Sequence, residues 1–199
     1  MIYYVGGING VGKTSLLQGI AKKDNRFSHI KGSTLLMCRL GIRDGDYESL
    51  RNLSTELKNK EFGEIVKSLK SDKNHNILID AHFINLINGK EYRVVDSWIS
   101  YVDVLVLVEA NENEVMNRIL KDSGRNRAMF NDDVWQSKEF VIHKIHEYML
   151  STRTEFYNLS KKYLLPSIVI QNRENKINLG IESFLEFHNQ HVSNHLISD

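Results

Sequence analysis

Residues 7–14 read Gly7-Ile8-Asn9-Gly10-Val11-Gly12-Lys13-Thr14 and carry, in full, the glycine, lysine and hydroxyl spacing of a phosphate-binding loop (P-loop). Each residue type has a chemical reason. Glycines let the backbone wrap until successive N–H groups point at phosphate oxygens. A helix opening near Lys13 adds its positive end to the same anion. The Lys13 ammonium then reaches the β and γ phosphates of a nucleoside triphosphate, and the Thr14 hydroxyl is positioned for Mg²⁺, which keeps most of its waters. The donor site is read as Gly7, Asn9, Gly10, Val11, Gly12, Lys13, Thr14 and Ser15, with ATP and Mg²⁺ as cofactors. The flanks agree with this reading. Residues 2–6 (Ile-Tyr-Tyr-Val-Gly) form a short apolar run ending in glycine, and residues 14–22 have a helical pattern.

Outward from the loop, short apolar runs alternate with amphipathic stretches. Residues 76–80, 103–108 and 167–171 read as strands buried on both faces, because their apolar residues do not alternate with polar ones, and a weaker strand is expected near 28–32. Strands alternating with helices predict an α/β fold of the P-loop three-layer type, a parallel sheet with helices on both faces. A long helix is expected from about 132 to 163. Its stripe runs through Val134, Val141, Ile145, Tyr148, Thr152, Phe156 and Leu159, and Asn131 or Asp132 is the expected cap. Residues 42–75 are polar and helix-prone, a candidate lobe between strands, and residues 121–133 read as a polar loop.

Asp80 closes a buried strand, so its carboxylate is expected at the ligand edge of the sheet as a partner for Mg²⁺; a cap on the following turn is the alternative. Glu109 competes weakly for that role and is read as a structural acceptor.

Composition bounds the rest. The chain has 199 residues, 41% hydrophobic and 26% charged, as expected of one globular domain over 1–199. Its 26 Lys and Arg balance 25 Asp and Glu, which gives no broad basic field for nucleic acid. One cysteine, Cys38, excludes an internal disulfide. There is no long apolar run and no basic-then-apolar leader, so no membrane partner is expected and a cytoplasmic location is. Nucleotide substrates are the expected partners, and oligomeric state is left open. A guanine-reading Asn-Lys-x-Asp is absent, since Asn59-Lys60 is followed by Glu61-Phe62. No Leu-Ser-Gly-Gly-Gln transporter signature occurs, and the chain is short for an oligomeric mechanochemical ATPase.

Several motifs in order resemble the archaeal-type adenylate kinases among the nucleoside-monophosphate kinases. They are the P-loop, Ile-Leu-Ile-Asp80-Ala-His82, the strand Val104 to Glu109, Glu114-Val-Met-Asn-Arg118, and Asp122-Ser-Gly-Arg125-Asn-Arg127, over about residues 2–172. The resemblance implies a five-stranded parallel sheet, an acceptor-binding lobe at about 33–72 and a short lid at about 121–133. The implied reaction is reversible transfer of the ATP γ-phosphoryl group to a nucleoside monophosphate. It places Arg125 and Arg127 on the transferring phosphates as catalytic residues with Lys13, and Arg118 over the donor nucleotide. Gly32-Ser33-Thr34 through Arg39 resembles the start of the acceptor lobe, with Arg51 matching an arginine in it. Arg93, near the turn Asn88-Gly89-Lys90, is a candidate for an acceptor phosphate, and Asn172, just past the last strand, for the donor adenine. His82 points to the same side as Asp80; it either binds the acceptor or bonds the backbone. Between 83 and 97 the chain departs from the family, whose Gly-Tyr-x-Pro-Gly-like stretch is replaced by one without proline. AMP is the favoured acceptor. The alternatives are another small acceptor on the same scaffold, or a nucleotide-dependent ATPase or regulatory binding protein.

Overall fold

The unbroken apolar runs become buried strands of one parallel sheet. In the computed structural model, which describes residues 1–71, 75–87, 90–93, 96–121 and 137–195, β1 (Ile2–Gly6) is buried along its whole length. So is β6 (Val104–Glu109), while β3 (Asn76–Asp80) is buried at its three central residues. With β2 (Phe27–Lys31) and β7 (Ser167–Gln171) they make a five-stranded sheet in the order β2-β3-β1-β6-β7. Neighbours are parallel: Tyr4 lies opposite Ile79 on one side and Leu105 on the other, Ile30 opposite Ile79, and Val106 opposite Ile168. From β1 the chain passes to the edge strand β2 and back to β3 beside β1, then crosses to β6 on the other side of β1 and out to β7. The carboxyl end of β1 is therefore the switch point where open α/β sheets bind ligands.

Alternate residues of a strand face opposite sides of a sheet, and the core divides accordingly. Tyr3, Val5, Leu78, Val104, Val106 and Val108 pack under α1 (Lys13–Lys23) and α7 (Ile177–His195) through Leu16, Leu17, Ile20, Ile181 and Phe184. Ile2, Tyr4, Ile77, Ile79, Leu105 and Leu107 pack on the other side. There they meet Val66 of α4 (Thr55–Lys70), Trp98 and Ile99 of a 3₁₀ turn (Asp96–Tyr101), and Phe156 and Leu159 of α6 (Lys138–Tyr163). Between β2 and β3 the polar stretch folds as α2 (Gly32–Arg39), α3 (Tyr47–Asn52) and α4. Asp46 caps α3 by accepting from Ser49 N, and Ser54 caps α4 by accepting from Leu57 N.

Two expectations change. The long helix starts at Lys138, not near 132, and its cap is Ser137, whose hydroxyl accepts from Phe140 N, rather than Asn131 or Asp132. Asn131, Asp132 and Val134 lie outside the described residues. On either side of the turn read at Asn88-Gly89-Lys90, β4 (Ile84–Ile87) pairs antiparallel with β5 (Lys90–Arg93); Asn88 and Gly89 lie outside the described residues. The Tyr148 hydroxyl of α6 donates to Ile84 O at 2.7 Å and ties the hairpin down. No helix among the described residues is long and apolar enough to cross a membrane.

Candidate active site

The P-loop follows β1 at the switch point and opens α1. Gly7, Gly10 and Gly12 have φ of 148°, 87° and 87°, conformations that side chains resist. Space is as short as torsion: a Cβ at Gly7 would strike Val108 O, and one at Gly12 would strike Asn172 Nδ2. Lys13 is only 7% exposed; its ammonium donates to Gly7 O at 2.8 Å and to Ile8 O at 3.1 Å. The cation thus folds back along the loop it serves.

Asp80, at the carboxyl end of β3, is brought beside the loop by the register that pairs it with Val5 of β1. Its Oδ2 accepts from Thr14 Oγ1 at 2.6 Å, and His29 Nε2 of β2 lies 3.7 Å from the same oxygen. Burial works to raise the Asp80 carboxyl, but His29, the Lys13 charge and the Thr14 hydrogen bond outweigh it and hold the group below the usual carboxylate range. Asp80 is therefore an anion at neutral pH. A hydroxyl and a carboxylate side by side are hard oxygen donors suited to Mg²⁺, whose other positions go to phosphate oxygens and water. Thr14 and Asp80 fit that ion.

His82 bonds the backbone: its Nδ1 lies 2.8 Å from Gly7 O, to which the protonated nitrogen donates. Burial, and then the nearby Lys13 charge, depress its pKa to about 3 against the opposing pull of Asp80, so the ring is neutral. Tyr4 Oη donates to His82 O at 2.7 Å and fixes the turn after β3. A Cβ on Gly6 would overlap the Phe83 ring, so this turn also closes against the end of β1.

On its outer side the loop is braced. Arg118 of α5 (Glu112–Lys121) donates to Gly10 O at 3.3 Å and Val11 O at 3.1 Å, and pairs with Glu114 at 3.1 Å. Asn172 is 4% exposed and donates from Nδ2 to Val11 O at 2.7 Å. Both residues expected at the donor nucleotide thus touch the loop backbone. Glu109, 3% exposed, is a structural acceptor: Arg153 grips both its oxygens at 2.8 Å, and Gln171 Nε2 donates to Oε2 at 2.8 Å. Arg153 and His29 were not singled out in the sequence, because their partners lie 44 and 51 positions away and no spacing rule connects them.

The expected acceptor residues lie on several elements. Ser33 and Thr34 open α2 directly after β2, and Thr34 Oγ1 donates to Asp44 at 3.1 Å. Arg39 pairs with Glu61 at 2.6 Å, and Arg51 is exposed at the end of α3. Arg93 reaches Glu155 of α6 at 3.4 Å. Asn9 is partly buried within the loop and Ser15 is exposed. Arg125 and Arg127 lie outside the described residues, as does the expected lid beyond Lys121.

Fold and loop together define a P-loop α/β protein of the kinase-like type. The chain belongs to the family described as AAA domain, which it matches over residues 6–136. Among solved structures it is similar to shikimate kinase from Bacteroides thetaiotaomicron, with TM-score 0.61 and 13% identity over 95% of this chain and 98% of that one. It is also similar to shikimate kinase from Acinetobacter baumannii in complex with shikimate, with TM-score 0.62 and 12% identity over 96% and 93%. A gluconokinase from Sinorhizobium meliloti 1021 gives TM-score 0.58 and 12% identity over 99% and 96%. At such identities the likeness is one of fold. No curated protein matches the chain in sequence.

Proposed function

We propose that this chain is an ATP-dependent small-molecule kinase, moving the γ-phosphoryl group of Mg-ATP to an acceptor held near α2–α4, with a nucleoside monophosphate, AMP first, as that acceptor. The observation that carries the reading is the contact of Thr14 Oγ1 with Asp80 Oδ2 at 2.6 Å, at the head of the P-loop. It sets both expected Mg²⁺ partners beside Lys13. Phosphoryl transfer asks a protein mainly for positioning and charge neutralisation. The loop N–H groups cradle the phosphates, and the Lys13 ammonium turns from the Gly7 and Ile8 carbonyls to the β and γ phosphates. Thr14 and Asp80 would hold Mg²⁺, which would supply positive charge to those same phosphates. Arg118 and Asn172 hold the loop in shape from outside and stand nearest the donor nucleoside. A phosphate oxygen of the acceptor arrives deprotonated, so the step needs only alignment and cations, and Arg125 and Arg127 are the cations assigned to it. Ser33, Thr34, Arg39, Arg51 and Arg93 are the candidate acceptor contacts, and the adenylate-kinase-like order of motifs supports AMP.

Two rivals have support of their own. The kinases of similar fold are named for shikimate and gluconate, hydroxy acids, and the hairpin of residues 84–93 replaces the family's proline-bearing stretch. A P-loop fold also serves nucleotide-dependent ATPases and binding proteins that have no small acceptor. The test is incubation with Mg-ATP and a panel of nucleoside monophosphates, nucleosides, shikimate and gluconate, following ADP and the phosphorylated product. AMP phosphorylation is expected. Product with a hydroxy acid alone, or acceptor-independent ADP release, would replace this reading with the corresponding rival. Lys13→Ala should lower the rate about 10²–10³-fold by removing a preorganised cation from the transferring phosphates.

A further inference from the structure

His29 has no task in the phosphoryl transfer, yet it is not placed like a core residue. Lys31 lies opposite Asp80 in the β2–β3 register, so His29, two residues earlier, shares the Asp80 side of the sheet. That is the side α1 covers, and α1 brings in Thr14. The His29 side chain is about as deeply buried as that of Asp80, 10% exposed in each case. Its Nε2 is buried with no hydrogen-bond partner. A buried polar atom left so is costly, and the other deeply placed histidines among the described residues avoid that cost. His82 Nδ1 bonds Gly7 O, and His188 Nδ1 bonds the Tyr3 hydroxyl. His29 Nε2 faces Asp80 Oδ2 at 3.7 Å, the oxygen that also accepts from Thr14. A carboxylate only accepts, so a ring nitrogen facing it is favoured as N–H.

We propose that His29 is a positioning residue of the divalent-cation site, its Nε2–H holding the Asp80 carboxylate in the orientation in which Asp80 and Thr14 together receive Mg²⁺. The proposal rests on the reading of the P-loop as a Mg-ATP site. Thr14 from α1 and His29 from β2 approach one oxygen, at 2.6 Å and 3.7 Å, so the carboxylate that would meet the ion is faced from two separate elements. Outer partners of this kind typically govern metal affinity about 10–100-fold without touching the ion.

The test compares ATP affinity of the full-length chain by calorimetry in excess Mg²⁺ and in EDTA, for wild type, His29→Leu and His29→Gln. Leucine keeps bulk and loses the donor; glutamine places an N–H at similar reach. Wild type is expected to bind ATP more tightly with Mg²⁺. His29→Leu should keep the EDTA affinity and lose about 10–100-fold of the Mg²⁺-dependent gain, and His29→Gln should restore most of it. Should the leucine variant not fold, His29→Asn, polar but too short to reach, carries the same expectation. An unchanged Mg²⁺ gain in His29→Leu overturns the proposal. So does an equal loss in Mg²⁺ and in EDTA, the mark of a general packing role. Absence of any Mg²⁺ gain in wild type overturns the Mg-ATP reading itself, and the role of His29 with it.

Discussion

Gly12 and Gly41 separate two reasons for a glycine. Both have positive φ, 87° and 68°, so alanine at either pays for a left-handed backbone, about 1–2 kcal/mol. At Gly41, after the end of α2, an added Cβ meets nothing within 4 Å, and the cost stops there. At Gly12 the Cβ strikes Asn172 Nδ2 and comes within 3.5 Å of Arg118 Nη1, the two side chains that hold the outer carbonyls of the loop. Gly12→Ala should therefore displace Asn172 and lose ATP affinity by more than about tenfold, besides a stability loss larger than that of Gly41→Ala. Gly41→Ala should leave ATP affinity unchanged. Denaturant titration and calorimetry on the two variants check this; equal ATP affinity in both would mean that the Asn172 and Arg118 contacts do not shape the loop.

At the scale of elements, α6 is the test of how local signals act. The Ser137 hydroxyl accepts from Phe140 N, and the helix ends at Leu164, in the left-handed region at φ 51°, two residues before Pro166. Ser137→Ala should cost about 1 kcal/mol in denaturant unfolding and speed amide exchange in the first turn of α6; an unchanged midpoint would mean that the cap is idle. Four of the strands were legible because each is an apolar run that a covered sheet buries, β2 (Phe27–Lys31), with Ser28, His29 and Lys31 in it, only weakly so, and the P-loop because its residue types are dictated by phosphate chemistry. The start of α6 was not legible, since Asn131, Asp132 and Ser137 are all residue types that cap well, and local preference does not separate them. The hairpin was half legible. Asn88-Gly89 is a hairpin-turn signal, but the flanking Ile84–Ile87 and Lys90–Arg93 are short, and it takes Tyr148, from a distant helix, to hold them. The same limit hid Arg153 behind Glu109 and His29 behind Asp80: what joins them is the winding of the chain.

For the molecule as a whole, acid resistance is set partly by histidines that the fold keeps neutral. His188 of α7 is 2% exposed among Tyr3, Phe27 and Phe184 at the end of the sheet away from the P-loop, its Nδ1 hydrogen-bonded to the Tyr3 hydroxyl. Burial depresses its pKa; Arg26, the N-terminal amine and His191 push the same way, and Asp24 opposes them. Asp24, held low by its hydrogen bond to Arg26, stays ionised through the range that matters. The sign follows from proton counting. Above the unfolded value of about 6.5, neither state holds the extra proton and His188 makes no difference. Below it the unfolded chain takes up a proton that the folded one refuses, so stability falls as pH falls, by at most about 1.4 kcal/mol per pH unit for each such group, until the folded value is passed. His188→Gln keeps a polar partner for Tyr3 and removes the titration. Denaturant midpoints measured from pH 7.5 down to about 5 should therefore drop less steeply in the variant than in wild type. Parallel curves would show that His188 is protonated inside the folded protein, and that the Tyr3–His188 pair at the base of the sheet accepts charge rather than excluding it.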